Sequence, residues 1–199
     1  MNIRKYLVLI LCLIVTSFVN AKEGFVQLDG TEINIQLKKE LVPVSKVFPE
    51  FFLSASYESK SSILPLEFYI PANDLILFLE EKQPALGKVI GLSISEDFVV
   101  GEINRKDFSK FRKMLGKQFR DSNSNNPNAK VLFDNANSFG YRSVIKDPKQ
   151  RVKAQSFLLV KGKMLELEIS AVYKSEKDLR WVDESLAAIV NSLIDLNKK

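Results

Sequence analysis

Two glutamates, Glu166 and Glu168, come nearest in this chain to a catalytic arrangement. A pair of carboxyl groups can cleave a glycosidic bond, one acting as acid and the other as base or nucleophile. They stand two residues apart in segment 164–173, where apolar and polar residues alternate, and residues two apart in a strand share a face. Because the apolar residues take the other face, the pattern favours the solvated polar side of a hairpin, with a catalytic dyad as the alternative.

The residue types that serve most other enzymes are missing or scarce. The 199 residues include no histidine and one cysteine, Cys12, which excludes histidine-dependent triads, histidine metal sites and intrachain disulfides. Glycine-rich phosphate loops, the Gly-x-Ser-x-Gly nucleophile motif and the aspartate-rich calcium loop are also absent from the sequence. No residue is therefore assigned as catalytic, cofactor-binding or metal-binding, and no cofactor is expected.

Basic and aromatic residues are interleaved between Arg105 and Arg120, as in helices that bind nucleic acids or membrane surfaces. Phe108, Phe111 and Phe119 recur on one side of the predicted helix, and the basic residues take the other side. Those between the ends are Lys106, Lys110, Arg112, Lys113 and Lys117. This distribution favours an ordinary solvated helix face, with contact to anionic lipid or to a protein partner as the alternative.

The first 21 residues have the three parts of a secretory signal peptide. Arg4 and Lys5 precede an apolar run at 6–15, and Val19 and Ala21 place small side chains at a cleavage site. Cleavage after Ala21 is predicted, with an uncleaved N-terminal anchor as the alternative. The mature domain, residues 22–199, would then be periplasmic or secreted, with 27 basic and 24 acidic side chains. Nucleic acid is not expected as a partner of an exported protein.

Two hairpins are the clearest strand signals. Segments 25–28 and 31–37 flank Asp29-Gly30, and segments 155–160 and 164–173 flank Lys161-Gly162. Further strands are predicted at 51–57, 64–70, 89–95, 98–103 and 141–145, with 89–95 and 98–103 forming a pair. In segment 64–70 the apolar residues at every second position should be buried, whereas Glu67 can face solvent.

Amphipathic helices are predicted at 105–120 and 175–197. Asn104 and Ser175 supply capping side chains with an aspartate three residues later, and apolar residues then recur at spacings of three and four. A third helix at 75–82 is predicted, with a buried strand as the alternative. Segment 121–128 contains no apolar side chain and is predicted to be a mobile surface loop.

The hairpin and helix at the C-terminal end, about residues 160–197, resemble an end pattern of small exported bacterial proteins that have no assigned activity. Its residues are Val160-Lys161-Gly162-Lys163-Met164-Leu165-Glu166-Leu167-Glu168-Ile169 and Ala171-Val172-Tyr173-Lys174-Ser175-Glu176-Lys177-Asp178-Leu179-Arg180-Trp181-Val182. More loosely, this pattern is similar to the Mog1/PsbP-type α/β/α sandwich. The resemblance implies a binding or assembly accessory and transfers no catalytic residue.

These patterns predict a single α+β domain in which two or three amphipathic helices pack on a mostly antiparallel sheet. The predicted function is a non-catalytic periplasmic binding or accessory module whose partner is another envelope protein. The alternative is a carboxylate-dependent cell-wall or glycan hydrolase. The oligomeric state stays open.

Overall fold

The two predicted hairpins are both present in the structure, a computed structural model that describes residues 23–37, 40–50, 52, 62–79, 87–145 and 150–198. The strands are β1 Glu23–Leu28, β2 Thr31–Gln36, β3 Leu41–Pro43, β4 Ile63–Pro71, β5 Lys88–Ser95, β6 Lys130–Asn135, β7 Ser138–Ile145, β8 Arg151–Val160 and β9 Lys163–Val172. The helices are α1 Val44–Val47, α2 Ala72–Leu79, α3 Arg105–Ser122 and α4 Glu176–Leu196, and a short 3-10 helix spans Glu96–Phe98.

Seven strands form one antiparallel sheet in the order β3-β4-β5-β9-β8-β7-β6. Strand β9 is therefore central, paired with its hairpin partner β8 and with the distant β5. At the β8–β9 turn Lys161 and Gly162 have φ of 48° and 78°, a left-handed conformation that suits two-residue hairpin turns. The predicted α+β class with a mostly antiparallel sheet is confirmed.

Helix α4 is the centre of the main hydrophobic core. It packs on β8 and β9 with one side, and on β2 with another, so that it lies between the large sheet and the β1–β2 hairpin. Val182, Leu186 and Leu193 are fully buried, and Ile33 and Ile35 cover them from the hairpin side. The apolar stripe that predicts this helix from the sequence thus faces two layers.

Helix α3 packs on the opposite face of the sheet. Phe108 is fully buried, the Phe111 ring meets Phe157 edge-on at 5.5 Å, and Phe119 lies 4.5 Å from Tyr141 between ring centroids. The aromatic side predicted to face inward therefore does so. The helix continues to Ser122, and residues 123–129 form turns before β6. The mobility expected of segment 121–128 stays a prediction.

Both long helices begin at the residues that the sequence predicts. The Asn104 side-chain oxygen accepts a hydrogen bond from the Asp107 backbone N–H at 3.0 Å. At the start of α4 the Asp178 carboxylate accepts from the backbone N–H groups of Lys174 and Ser175, both at 2.9 Å. These contacts satisfy donors that have no partner inside a helix.

The strand predicted at 98–103 does not form. Strand β5 pairs with β4 and β9 instead, and the backbone after the 3-10 helix is held by a buried side chain. The Lys163 ammonium, on a residue 2% exposed, donates to the carbonyl oxygens of Val99, Val100 and Gly101 at 2.8, 3.4 and 3.2 Å. Carbonyl groups gathered around one cation do not form a strand ladder, so this prediction is wrong.

Strand β4 departs from the predicted alternation at Glu67. The register shifts between Pro65 and Glu67, and this bulge brings Glu67 inside at 6% exposed, while Leu64 is 38% exposed. The Glu67 carboxylate accepts hydrogen bonds from the backbone N–H groups of Ser45 and Phe68, both at 2.9 Å, and from the Ser45 hydroxyl. The expectation that Glu67 faces solvent is wrong because strict alternation cannot foresee a bulge.

The remaining predictions have mixed outcomes. The segment after position 71 is helical, as α2, rather than a buried strand, and the strand predicted at 141–145 is part of β7. Strand β6 is not predicted from the sequence. Of segment 51–57 only Phe52 is described, and it is helical. The signal peptide at 1–21 lies outside the described residues.

Candidate functional site

Among the described residues, two surface depressions bring charged side chains together. The larger, about 710 Å³, lies where the β1–β2 and β8–β9 turns meet the start of α3 and the end of α4. The smaller, about 240 Å³, is a groove on the sheet surface over β4, β5 and β9, on the face that also carries α3. In the larger depression polar groups join separate elements of the fold, whereas in the smaller one carboxylates form one wall of a groove.

The larger depression is a junction between elements. The Asn197 side chain accepts from the Asn34 backbone N–H at 2.9 Å and donates to the Asn34 carbonyl at 2.8 Å. The Lys161 ammonium donates to the Glu32 carbonyl at 2.7 Å. These bonds tie α4 and the β8–β9 turn to the N-terminal hairpin, so its polar groups serve the fold first.

The smaller depression, called here the sheet-face groove, exists because a glycine separates an aromatic ring from a carboxylate. Phe68 on β4, Gly91 on β5 and Glu168 on β9 are paired in one row across the sheet. Gly91 has no side chain to fill the row, which leaves space between the Phe68 ring and Glu168. Beside this row, Pro65, Ser93 and Glu166 form a second one, with a small residue again in the middle. The apolar wall consists of Ile63, Pro65, Phe68 and Val89, and the polar wall of Glu166, Glu168 and Ser170.

The polar wall is ordered by side chains of β7 and β8. The Tyr141 hydroxyl donates to the Gln155 side-chain oxygen, and the Gln155 amide donates to Glu166. Next to this chain of hydrogen bonds the Lys153 ammonium forms an ion pair with Glu168 at 2.6 Å. Each carboxylate is therefore held in place by a different kind of partner, a neutral amide for Glu166 and a cation for Glu168.

Glu166 and Tyr141 are electrostatically perturbed. Burial raises the pKa of Glu166, the neighbouring Glu168 carboxylate adds to the increase, and the Gln155 hydrogen bond and Lys153 oppose it. Burial also raises the pKa of Tyr141, with further contributions from the two carboxylates. The negative charge on Glu166 is thus incompletely compensated by the groups around it.

Replacing Glu166 with glutamine should change how stability depends on pH. A carboxyl group with a raised pKa in the folded state favours the protonated form, so its contribution to stability falls as pH rises from the unfolded-state pKa through the folded-state pKa. The variant should therefore gain stability over wild type on going from mildly acidic to neutral pH. Melting temperatures of the variant and of wild type across that pH range measure this difference in stability. Glu32→Gln, at an exposed position, is the control, and an equal widening in both variants would contradict the assignment.

Glu166 and Glu168 do not lie on a fully solvated strand face. The two carboxylates share one face of β9, as the sequence predicts, but they are half-buried and bonded rather than solvated. Glycosidases place their two carboxyl groups on either side of the bond to be cleaved. Here both groups project from one strand and already have bonded partners, Gln155 for Glu166 and Lys153 for Glu168.

The basic residues of α3 and Trp181 lie outside this groove. Lys106, Lys113 and Lys117 are exposed on the outer side of α3, away from the sheet. Trp181 is half-buried on α4, and the Lys88 ammonium lies 4.4 Å from its ring centroid. Trp181 therefore packs at the edge of the core.

The described residues contain neither a metal-ligand cluster nor a helix that could span a membrane. No group of three or more cysteine, aspartate or glutamate side chains is placed to hold a metal ion among them. None of the helices in the described ranges has the length and hydropathy that a membrane span requires.

No protein-family model matches the chain, and no curated protein matches it in sequence. Among solved structures it is similar to the Ran-binding protein Mog1p of Saccharomyces cerevisiae, with 10% identity, coverage of 87% of this chain and 93% of that chain, and a TM-score of 0.43. Cyanobacterial PsbP from Synechocystis has 10% identity, coverage of 85% and 91%, and a TM-score of 0.38. LpqN of Mycobacterium tuberculosis, involved in cell envelope biogenesis, has 12% identity, coverage of 85% and 87%, and a TM-score of 0.35. The resemblance to Mog1 and PsbP drawn from the C-terminal pattern is found again here, and no function is taken from a likeness of this size.

Proposed function

We propose that the protein is an exported, non-catalytic accessory module that binds an extended segment of another envelope protein in the sheet-face groove. The observation that carries this proposal is the groove itself, with a preformed apolar wall opposite a wall of ordered carboxylates. Binding sites combine apolar surface with a few well-placed polar groups in this way. Export rests on the signal peptide predicted at 1–21, and the mature chain should begin at Lys22.

The charges of the groove support a ligand with a basic residue. Glu168 already has a cationic partner in Lys153, whereas Glu166 is bonded to the neutral amide of Gln155. A lysine or arginine side chain of the ligand would compensate the remaining charge, and apolar side chains beside it would pack against Phe68 and Pro65. We therefore propose a segment that carries one basic residue next to apolar residues.

Site-specific photo-crosslinking in living cells tests this proposal. A photoreactive amino acid at Ile63 faces the groove, whereas the same amino acid at Leu64 points to the other side of β4 and is the matched control. Ile63 should capture one protein, and sequencing of the crosslinked peptide should show a basic residue next to apolar ones. Leu64 should not capture it.

Two groove variants make the test specific. Ser93→Phe places a ring in the space between Pro65 and Glu166, and Glu166→Gln removes the uncompensated charge. Both should abolish capture at Ile63 while the melting transition is retained. Capture that survives both variants would contradict the proposal. Cell-wall digestion by the purified protein that is lost in Glu166→Gln or Glu168→Gln would favour the hydrolase instead.

A further inference from the structure

Five basic residues of α3 form a stripe along its outer surface. Their spacing alternates between four and three residues, and at 100° per residue they fall within an arc of about 80° and a length of about 21 Å. This basic stripe consists of Lys106, Lys110, Lys113, Lys117 and Arg120, and all five residues are exposed. The regular spacing concentrates positive charge along one edge of the helix.

The packing of α3 fixes the direction in which the stripe points. Phe108, Gly116 and Phe119 are the buried residues of this helix, and at 100° per residue the two phenylalanines lie on the side opposite the stripe, with Gly116 beside its Arg120 edge. The helix therefore cannot turn the basic residues toward the sheet without exposing its aromatic side. The fold therefore keeps the stripe on the outer surface of the protein.

Few acidic groups neutralise the stripe. Within the described ranges one ion pair involves it, Lys110 with Asp107 at 2.9 Å, and both side chains of that pair are largely exposed. Such exposed ion pairs contribute little to stability, and salt screens them. A further cation of α3, Arg112, lies off the stripe and is paired with Asp134 on β6. The stripe itself thus retains most of its charge for an external partner.

We propose that the basic stripe docks the protein on an anionic lipid bilayer. Lysines close to an anionic membrane surface each add attraction that falls off within a Debye length. The cores of protein interfaces are enriched in aromatic residues and poor in lysine, whereas the stripe holds four lysines and no aromatic residue. Its composition is therefore complementary to a layer of charged headgroups. Met114, 48% exposed at the border of the stripe, adds an apolar contact at the same surface.

Docking through the stripe would also orient the sheet-face groove. Helix α3 packs on Phe157 and Tyr141, which lie on the same face of the sheet as Glu166. A bilayer in contact with α3 would therefore lie on the groove side of the molecule. The lipid proposal stands independently of the groove's ligand, because it rests on different residues.

Sedimentation with vesicles tests the proposal. The purified protein should bind vesicles of phosphatidylcholine mixed with phosphatidylglycerol, bind vesicles of phosphatidylcholine alone far more weakly, and dissociate as ionic strength rises. The triple variant Lys106→Gln, Lys113→Gln and Lys117→Gln should lower the affinity about 100-fold, at about fivefold per lysine.

A charge-matched variant separates the stripe from net charge. Lys46→Gln, Lys174→Gln and Lys177→Gln remove three exposed lysines that lie outside α3, and this variant should keep nearly wild-type binding. All six positions are exposed, so both variants should retain the wild-type melting temperature. Absence of binding to the anionic vesicles, or equal losses in the two variants, would overturn the proposal. Binding of the stripe to an acidic protein without vesicle binding would overturn it as well.

Discussion

Replacement of Leu186 with aspartate is expected to unfold the domain. Leu186 is fully buried on α4, between the seven-stranded sheet and the β1–β2 hairpin. Loss of a buried leucine side chain alone costs about 2 to 5 kcal/mol, and an unpaired carboxylate in the same place adds its desolvation. The free energy of unfolding should fall by at least about 4 kcal/mol, a large part of the roughly 5 to 15 kcal/mol that holds an ordinary domain folded. Urea denaturation followed by circular dichroism measures the loss.

The same substitution at the end of the same helix is the control. Leu196 is 39% exposed in the last turn of α4, so Leu196→Asp should cost about 1 kcal/mol or less. A small effect at Leu186, or equal effects at the two positions, would show that the apolar side of α4 is not buried as described.

Replacement of Gly140 with alanine is expected to have the second largest effect. Gly140 lies in β7 directly under the Phe133 ring of β6, where the two strands pair. A Cβ atom at position 140 would stand 2.9 Å from Cε1 of Phe133 and closer still to Cζ, so the ring or the strand must move. Such overpacking costs about 1 to 3 kcal/mol, which corresponds to a melting temperature lower by roughly 2 to 10 °C.

A double-mutant cycle isolates this contact. In a Phe133→Ala background the ring is gone, so the further change Gly140→Ala should cost less than about 0.5 kcal/mol. If Gly140→Ala were equally costly in both backgrounds, the penalty would come from the backbone of β7 and not from the aromatic ring.

The sequence is informative where the signal is local. The hairpin at Lys161-Gly162 and the cap formed by Asp178 depend on residues within a few positions of one another, and both form as predicted. The inward side of α3 follows in the same way from the spacing of its phenylalanines. These predictions need no knowledge of which strand lies next to which.

The sheet-face groove depends on strand neighbours that lie far apart in the chain. Its floor exists because β5 pairs with β9, which sets Gly91 beside Glu168, 77 positions later in the sequence. Without that pairing, Gly91 is an unremarkable residue in a strand, and Glu168 belongs to a polar face. The signal that was present in the sequence is the run of small residues Gly91, Ser93 and Ser95 on one side of β5.

The bulge in β4 shows a second limit. Alternation predicts burial only while the register is continuous, and one extra residue moves Glu67 to the interior. The hydrogen bonds that make this burial tolerable come from Ser45, on a helix of four residues that carries no periodic signal of its own. The burial of Glu67 and its partner Ser45 were both missed for the same reason: neither a bulge nor a four-residue helix leaves a periodic pattern in the sequence.

The bonds between Asn34 and Asn197 join the N-terminal hairpin to the residue that follows α4. A two-stranded hairpin by itself is marginally stable, and among the described elements β1–β2 has its main apolar partner in α4, some 140 residues further along. The contact that completes the core therefore forms only after the whole chain is available, and such contacts between distant segments form slowly. Under the export proposed above, the chain would cross a membrane unfolded, and this order would keep the leading segment loose until the end of the domain has arrived.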